Sequence, residues 1–451
     1  MNTPATAAAA AEARAPENLT ETEFNTPQMR RILASSFIGS AIEFYDFILY
    51  ATAASLVFNK VFFTNLEPGV ALFASFATLA VGYLARPIGG IVFGHFGDRL
   101  GRKGVLITSM FMMGLATILI GVLPTTAQIG MLAPAALIAL RIVQGLAVGG
   151  EWGGAMLMAL EHAPKERRGF AASFANMGGP AGAVLATLAV SAMSVLPDDQ
   201  FLSWGWRVPF LISIVLIAIG LVIRLKVSES PLFLALENKA EGKKIPIMEV
   251  LTKYPLSVLK GTLVGMSSYT VQGLMTVWAV AYVVDSAGMD RTDVLNVKAV
   301  GATLTVVGIW FAARYSDKLG RRPVMFFGIA TGAVMALPIM WMLELGELWL
   351  FAVALFIANG IVQASIFGPF GAFSAELFPT RIRYTGASLV YQLSSTLGAG
   401  FTPLVISGLV LATGGPLWLT GAVWTGTFVL AGLCLLTVKE GKDQDLTAEN
   451  I

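Results

Sequence analysis

The stretch GHFGDRLGRK, residues 94–103, carries five ionisable side chains in ten positions. It lies between two long apolar runs, and a related stretch, ARYSDKLGRRP, returns at 313–323. Both contain Asp-x-Leu-Gly-Arg, as Asp98 to Arg102 and as Asp317 to Arg321, 219 positions apart. A second pair of stretches repeats in the same order. ALEHAPKERRGFAAS (159–173) and SAELFPTRIRYTGAS (374–388) align Glu161 with Glu376, Pro164 with Pro379, Arg168 with Arg383 and Ser173 with Ser388. The chain therefore reads as two halves built on one plan.

Composition says where those halves reside. Of 451 residues, 56% are hydrophobic and only 13% charged, with a mean hydropathy of +0.73. Soluble domains carry about 25% charged residues, so an integral membrane protein is expected. The net charge of +2 points to no nucleic-acid partner. Cys434 is the single cysteine, so no disulfide can form within the chain. His95 and His162 cannot build a zinc site alone, and neither a metal nor a cofactor is expected.

A spanning helix needs about 20 mostly apolar residues. Such runs fall near 32–58, 70–97, 104–123, 131–154, 169–195, 207–226, 258–284, 293–313, 324–343, 348–375, 385–412 and 417–438. The expected fold is all-α: twelve transmembrane helices in two pseudo-symmetric six-helix bundles. With both termini placed in the cytoplasm, 24 of the 30 lysines and arginines fall on that side, which is the positive-inside arrangement. Lys60, Arg207, Arg291 and Lys298 count with the outer side, and Arg86 and Arg141 lie within spans. The division is then a disordered N-tail (1–30), a first bundle (31–226), a central cytoplasmic loop (227–257), a second bundle (258–438) and a C-tail (439–451).

Parallel repeats related by an axis along the membrane normal are a transporter design. In it the charged loops act as cytoplasmic latches. Asp98 bonds Arg102 or the N-terminus of a helix in the facing half, where partial positive charge gathers, and Asp317 with Arg321 does the same. Glu161 with Arg168, and Glu376 with Arg383, extend these latches. The plainer reading of each loop is a positive-inside turn closed by glycine.

GHFGDRLGRK resembles the loop signature of the major facilitator superfamily, and RIVQG (141–145) its fourth-helix signature. Further stretches resemble one branch, the metabolite:proton symporter family: IEFYDFILYATAA (42–54), ARPIGGIVFGHFGDRLGRK (85–103), RIVQGLAVGGEWGGA (141–155), SWGWRVPF (203–210) and AELFPTRIRYTGAS (375–388). The resemblance runs from about residue 30 to 440. It implies uptake of small metabolites with protons, among them shikimate, dicarboxylates, aromatic acids, proline and betaine, and it implies that helices one, four, seven and ten line the cavity.

Five ionisable residues lie well inside the spans: Glu43, Asp46, Arg86, Arg141 and Glu151. Each costs about 2.5–3.5 kcal/mol at mid-span, so pairing or function is expected of it. Glu43 and Asp46, at i and i+3, share a helix face. Helical rise places Asp46 and Arg141 at overlapping depths, so an Asp46–Arg141 or Glu43–Arg141 pair is feasible. Arg141 is the first choice for a substrate carboxylate, which its planar fork suits, with a structural ion pair as the alternative. Asp46, Glu43 and Glu151 are the proton-coupling candidates. Arg86 either joins the substrate site or stabilises Glu43.

Helices seven, ten and eleven carry no mid-span charge but hold Tyr269, Gln272, Asn359, Gln363, Tyr391 and Gln392. These are candidates for substrate hydrogen bonds, with helix packing as the alternative for each. Gly145, Gly149 and Gly153 form a close-packing stripe. NMGGPAGA (176–183) partly resembles an antiporter signature, with a helix bend as the alternative. The expected function is a proton symporter, acting as a monomer in the cell membrane, that imports a small carboxylate-bearing metabolite such as shikimate or a di/tricarboxylate. A proline/betaine carrier is the second reading; an antiporter, a channel and a membrane sensor or enzyme are remoter ones.

Overall fold

Apolar runs of this length have one stable form in lipid, the helix, whose backbone groups bond within the segment. The structure, a computed structural model, describes residues 26–100, 102–149, 152–226, 246–414 and 416–442; the side chains of 94–100, 102–106, 221–226 and 246 lie outside that description. Twelve long helices follow one another. They are α1 (Pro27–Leu56), α2 (Pro68–Leu100), α3 (Arg102–Val122), α4 (Leu132–Val148 with Trp152–Glu161), α5 (Arg168–Ser194) and α6 (Arg207–Lys226). The second six are α7 (Pro255–Gly273, Leu274–Trp278 and Ala279–Asp285), α8 (Arg291–Leu319), α9 (Arg321–Glu344), α10 (Leu348–Leu355, Phe356–Gln363 and Ala364–Glu376), α11 (Arg383–Ser395, Thr396–Gly400 and Thr402–Thr413) and α12 (Leu417–Leu436).

Among the described residues, ten helices are long and apolar enough to cross a membrane. Of the other two, α3 contributes the shorter apolar stretch Ile107–Val122. In α7, the buried Ser267, Ser268, Tyr269, Thr270 and Gln272 dilute the apolar character, as befits a helix facing protein rather than lipid. The lipid-type surface lies on the outer helices, where Phe111 and Leu115 of α3, Ile214 and Val215 of α6, Phe327 and Trp341 of α9, and Leu433 and Leu436 of α12 are exposed.

α1 is the opposite case. Thr26 caps it by accepting from the Met29 amide at 3.3 Å, and every residue from Ser40 to Leu56 is buried. A helix buried on all sides belongs in the centre. The halves meet where α1 touches α7, α5 lies along α8, and α2 packs on α11. Within the first half, glycine brings α2 and α4 to backbone contact. A Cβ at Gly145 would lie 2.1 Å from Gly82 O, and one at Gly149 2.3 Å from Arg86 O. Gly178 and Gly182 of α5 do the same against α1, at Phe37 O and Ala41 O. NMGGPAGA is thus a close-packing face of a helix that continues through Pro180.

Several boundaries differ from the sequence reading. α1 begins at Pro27, because proline at the first helical position follows a capping threonine. The described end of the central loop holds a short helix, Pro246–Lys253, tied down by Glu249, which pairs with Lys253 at 3.3 Å and with Arg381. The start of the C-tail is docked: Glu440 accepts from the amides of Arg321 and Arg322 at 2.9 and 3.0 Å, serving the free N–H groups at the start of α9. The expected N-tail to residue 25 lies outside the described residues.

Candidate functional site

The polar side chains of the two halves gather at two closures and a hollow between them. The first closure lies on the face that carries both described ends of the chain. Gly320, at φ +104, makes the turn between α8 and α9, a conformation that glycine adopts without strain. The turn lets Arg321 reach back to Asp317 at 2.6 Å and across to Glu376 at 3.2 Å. The Asp317 carboxylate also crosses to the other half, accepting from the Gly169 amide at 2.9 Å and the Phe170 amide at 2.8 Å. These are the first-turn amides of α5, so the acid neutralises the positive end of a helix dipole. Arg383 donates to Ala375 O at 3.2 Å and lies in the electrostatic field of Glu161, Arg168 and Glu376. The structure therefore gathers Asp317, Arg321, Glu161, Arg168, Glu376 and Arg383 at one closure. The side chains of Asp98 and Arg102 lie outside the described residues, and so does Glu151.

The second closure is on the far face. Arg291 Nη2 donates to Ser194 O at 2.8 Å and Leu196 O at 3.3 Å, and Nη1 pairs with Asp198 at 2.8 Å. Ser191 donates to Asn296, Ser194 to Thr292, and Lys60 pairs with Asp285 at 2.9 Å. Among the described residues, contacts between the halves close both faces, an occluded arrangement.

Between the closures lie the buried ionisable groups. Glu43 and Arg86 form an ion pair at 3.5 Å, 3% and 2% exposed. The Arg86 guanidinium also sits 4.7 Å from the centroid of Phe47, 5.2 Å from Tyr83 and 5.8 Å from Tyr391. Arg141 does not form the ion pair with Asp46 or Glu43 that its depth made feasible. Its guanidinium lies over Phe47 at 4.4 Å and Tyr50 at 4.0 Å, and Nη1 donates to Gln144 at 3.1 Å, while Nε and Nη2 have no protein acceptor. The reason is geometric: the Gly82 position lies against the Arg141 side chain and leaves it room to stack between aromatic faces. Asp46 is fully buried; no donor meets hydrogen-bond geometry at either carboxylate oxygen, and the Thr117 hydroxyl is its nearest polar influence. Arg141 is the cation whose field it feels.

From the second half, Tyr391 stacks on Trp152 of the first at 3.8 Å, and Tyr269 meets Tyr391 edge-on at 5.8 Å. Gln392 donates to Gly149 O at 2.9 Å, across the halves. Asn359 donates to Gln363 at 2.9 Å, and its own Oδ1 lacks a partner. Both lie in the π-helical turn Phe356–Gln363, a backbone irregularity often found at functional sites.

A cavity of about 30 Å³ lies between the halves, with Gln272, Asn359, Gln363 and Lys298 among its walls. This volume is too small for a metabolite, so a substrate needs one closure open. Arg141, Arg86, Tyr269, Tyr391 and Gln392 are not among the residues that line it. Lys298 is the residue that sequence reasoning misplaced. Counted with the outer side, it is in fact 3% exposed inside α8 and donates to Thr52 Oγ1 at 2.7 Å. Its place within the 293–313 apolar run was the available signal.

Two like-oriented helical halves that close both faces around a polar hollow make a membrane transporter rather than an enzyme. Residues 36–403 match the Major Facilitator Superfamily, and the chain belongs to that family. It is 39% identical over 412 residues to the shikimate transporter of Escherichia coli (strain K12), covering 90% of this chain and 92% of that protein. It is 40% identical over 414 residues to the inner membrane metabolite transport protein YhjE of the same organism, covering 90% and 93%. A proline/betaine transporter of Salmonella typhimurium (strain LT2) is 31% identical over 398 residues, covering 85% and 78%. Among solved structures, a D-xylose-proton symporter superposes with a TM-score of 0.70 at 19% identity, covering 92% of this chain and 98% of that one. At that identity the likeness bears on the fold alone.

Proposed function

We propose that this transporter is a proton symporter that imports a small carboxylate-bearing metabolite, an organic acid of the shikimate or di/tricarboxylate kind. It works by alternating access, as a monomer in the bacterial inner membrane with both termini in the cytoplasm. The observation that carries the reading is Asp46, a carboxyl group buried in the central helix with the Thr117 hydroxyl and the Arg141 guanidinium as its polar neighbours. Exchange of a proton at such a buried group needs water, which arrives when one closure opens. Asp46 then loads and unloads a proton as the halves rock, with Arg141 supplying a fixed positive field. Glu43 paired with Arg86 keeps a second carboxyl group available in the same bundle.

Relatedness to the shikimate transporter at 39% identity supports an organic acid as cargo. A zwitterionic osmolyte is the second reading, supported by the proline/betaine relative. The test is uptake by proteoliposomes under an imposed pH gradient, inside alkaline, with labelled shikimate, succinate, proline and glycine betaine. Accumulation of an organic acid that collapses with an uncoupler is the expected result. Uptake insensitive to the gradient overturns the coupling, and accumulation of betaine or proline alone selects the second reading.

A further inference from the structure

The central hollow holds a lysine amino group with no acidic partner among the described residues. Lys298 is 3% exposed and lines the cavity. Its hydrogen-bond partner is the Thr52 hydroxyl, 2.7 Å away, which itself donates to Ile48 O at 2.7 Å. No carboxylate among the described residues pairs with it. In its protonated form a lysine has three donors; Thr52 takes one, and Lys298 lines a space shared by both halves.

The other buried cations of the described interior differ. Arg86 has Glu43, Arg321 has Asp317 and Glu376, Arg141 lies over the rings of Phe47 and Tyr50, and Arg168 and Arg383 lie at the first closure with Glu161 and Glu376. An ionisable residue at membrane depth with no acidic partner marks a functional group. The surroundings add to this. The Asn359 Oδ1 acceptor is unpaired, Gln272 and Gln363 offer amides, and Phe44 and Phe367 supply apolar walls. One cation, several amides and two aromatic rings suit a small anion with a hydroxylated or apolar body.

We propose that Lys298 receives the carboxylate of the transported solute, exchanging its bond to Thr52 for an ion pair with a small organic anion. The inference rests on the transporter reading above and moves the anion-recognition role from the first bundle's arginines to α8. It also joins recognition to movement. The Lys298–Thr52 bond ties α8 to α1 across the two halves, so a carboxylate that captures the ammonium loosens one tie that holds them together.

The experiment compares the wild type with Lys298→Met, Lys298→Arg and Thr52→Val in proteoliposomes, using shikimate, succinate and glycine betaine as probes, together with the melting temperature of each purified protein. For the accumulated probe, Lys298→Met is expected to raise KM at least about tenfold, the loss of a charge-assisted contact, with no fall in melting temperature. Lys298→Arg is expected to retain most of the affinity, and Thr52→Val to lower KM by freeing the ammonium. An unchanged KM in Lys298→Met overturns the assignment while leaving the transporter reading standing. Equal loss of transport and of melting temperature in Lys298→Met and Thr52→Val also overturns it, because the pair is then a structural tie. If the wild type accumulates none of the three probes, the proposed function falls first and the assignment falls with it.

Discussion

Asp317 and Arg291 stand near opposite ends of α8, and between them they hold the two ends of α5. Asp317 accepts from the first-turn amides Gly169 and Phe170, and Arg291 donates to the last-turn carbonyl of Ser194. Each charge is at the unfavourable end of its own helix dipole and at the favourable end of its neighbour's. When either closure opens, its charge loses the α5 terminus and is left against its own. The occluded state is therefore favoured electrostatically at both faces at once, and opening one face sacrifices one set of contacts.

Asp317→Asn is expected to open the face bearing the chain termini. Hydrogen bonds to a charged group contribute about 1.5–3 kcal/mol each, so the equilibrium should shift at least about tenfold. Distances between spin labels on the exposed Lys165 and Lys318 check this. A long-distance population should grow; an unaltered distribution removes Asp317 from the closure.

Arg291→Ala is expected to do the reverse, lengthening the distance between labels on Asp199 and Asp293 at the far face. Because the two sites lie at opposite ends of α8, their effects should combine nearly additively. The Asp317→Asn, Arg291→Ala double variant should restore the balance between the two open states while depleting the occluded one.

Asp46→Asn is expected to abolish accumulation driven by a pH gradient while sparing exchange of solute down its own gradient. Counterflow measured beside gradient-driven uptake separates the two. Preserved accumulation excludes Asp46 as the proton carrier.

Arg141→Lys tests position rather than contact. The planar guanidinium stacks on Phe47 and Tyr50 off the cavity wall, and an ammonium cannot reproduce that stacking. The maximal rate of gradient-driven uptake should fall while KM stays close to the wild-type value. A large rise in KM with an unchanged rate would return Arg141 to direct substrate contact.

Gly149→Ala is expected to destabilise the first bundle by about 1–3 kcal/mol through overpacking, since its Cβ would press on Gly90 N and Arg86 O. Gly426→Ala is the internal control, because a Cβ there meets nothing within 4 Å. Melting temperatures in detergent compare the two; equal values contradict the close approach of α2 and α4.

The sequence by itself determined the number of helices, the repeat that divides them into two halves and the buried charges of α1, α2 and α4. Apolar length and charge placement are local quantities, and lipid leaves a chain few alternatives. Asp317 was singled out too, because a motif that occurs twice calls attention to itself, and its bonds to Arg321 and to a helix N-terminus of the other half match that reading. Partnership was decided only by the tertiary structure. Arg141 stacks on rings rather than pairing with Asp46, since the choice depends on how closely glycines let α2 approach α4, and no spacing along one helix encodes a distance to another. Lys298 and Arg291 are single basic residues in α8 whose meaning depends on what the opposite half presents to them: a hydroxyl with no carboxylate in one case, the end of a helix dipole in the other.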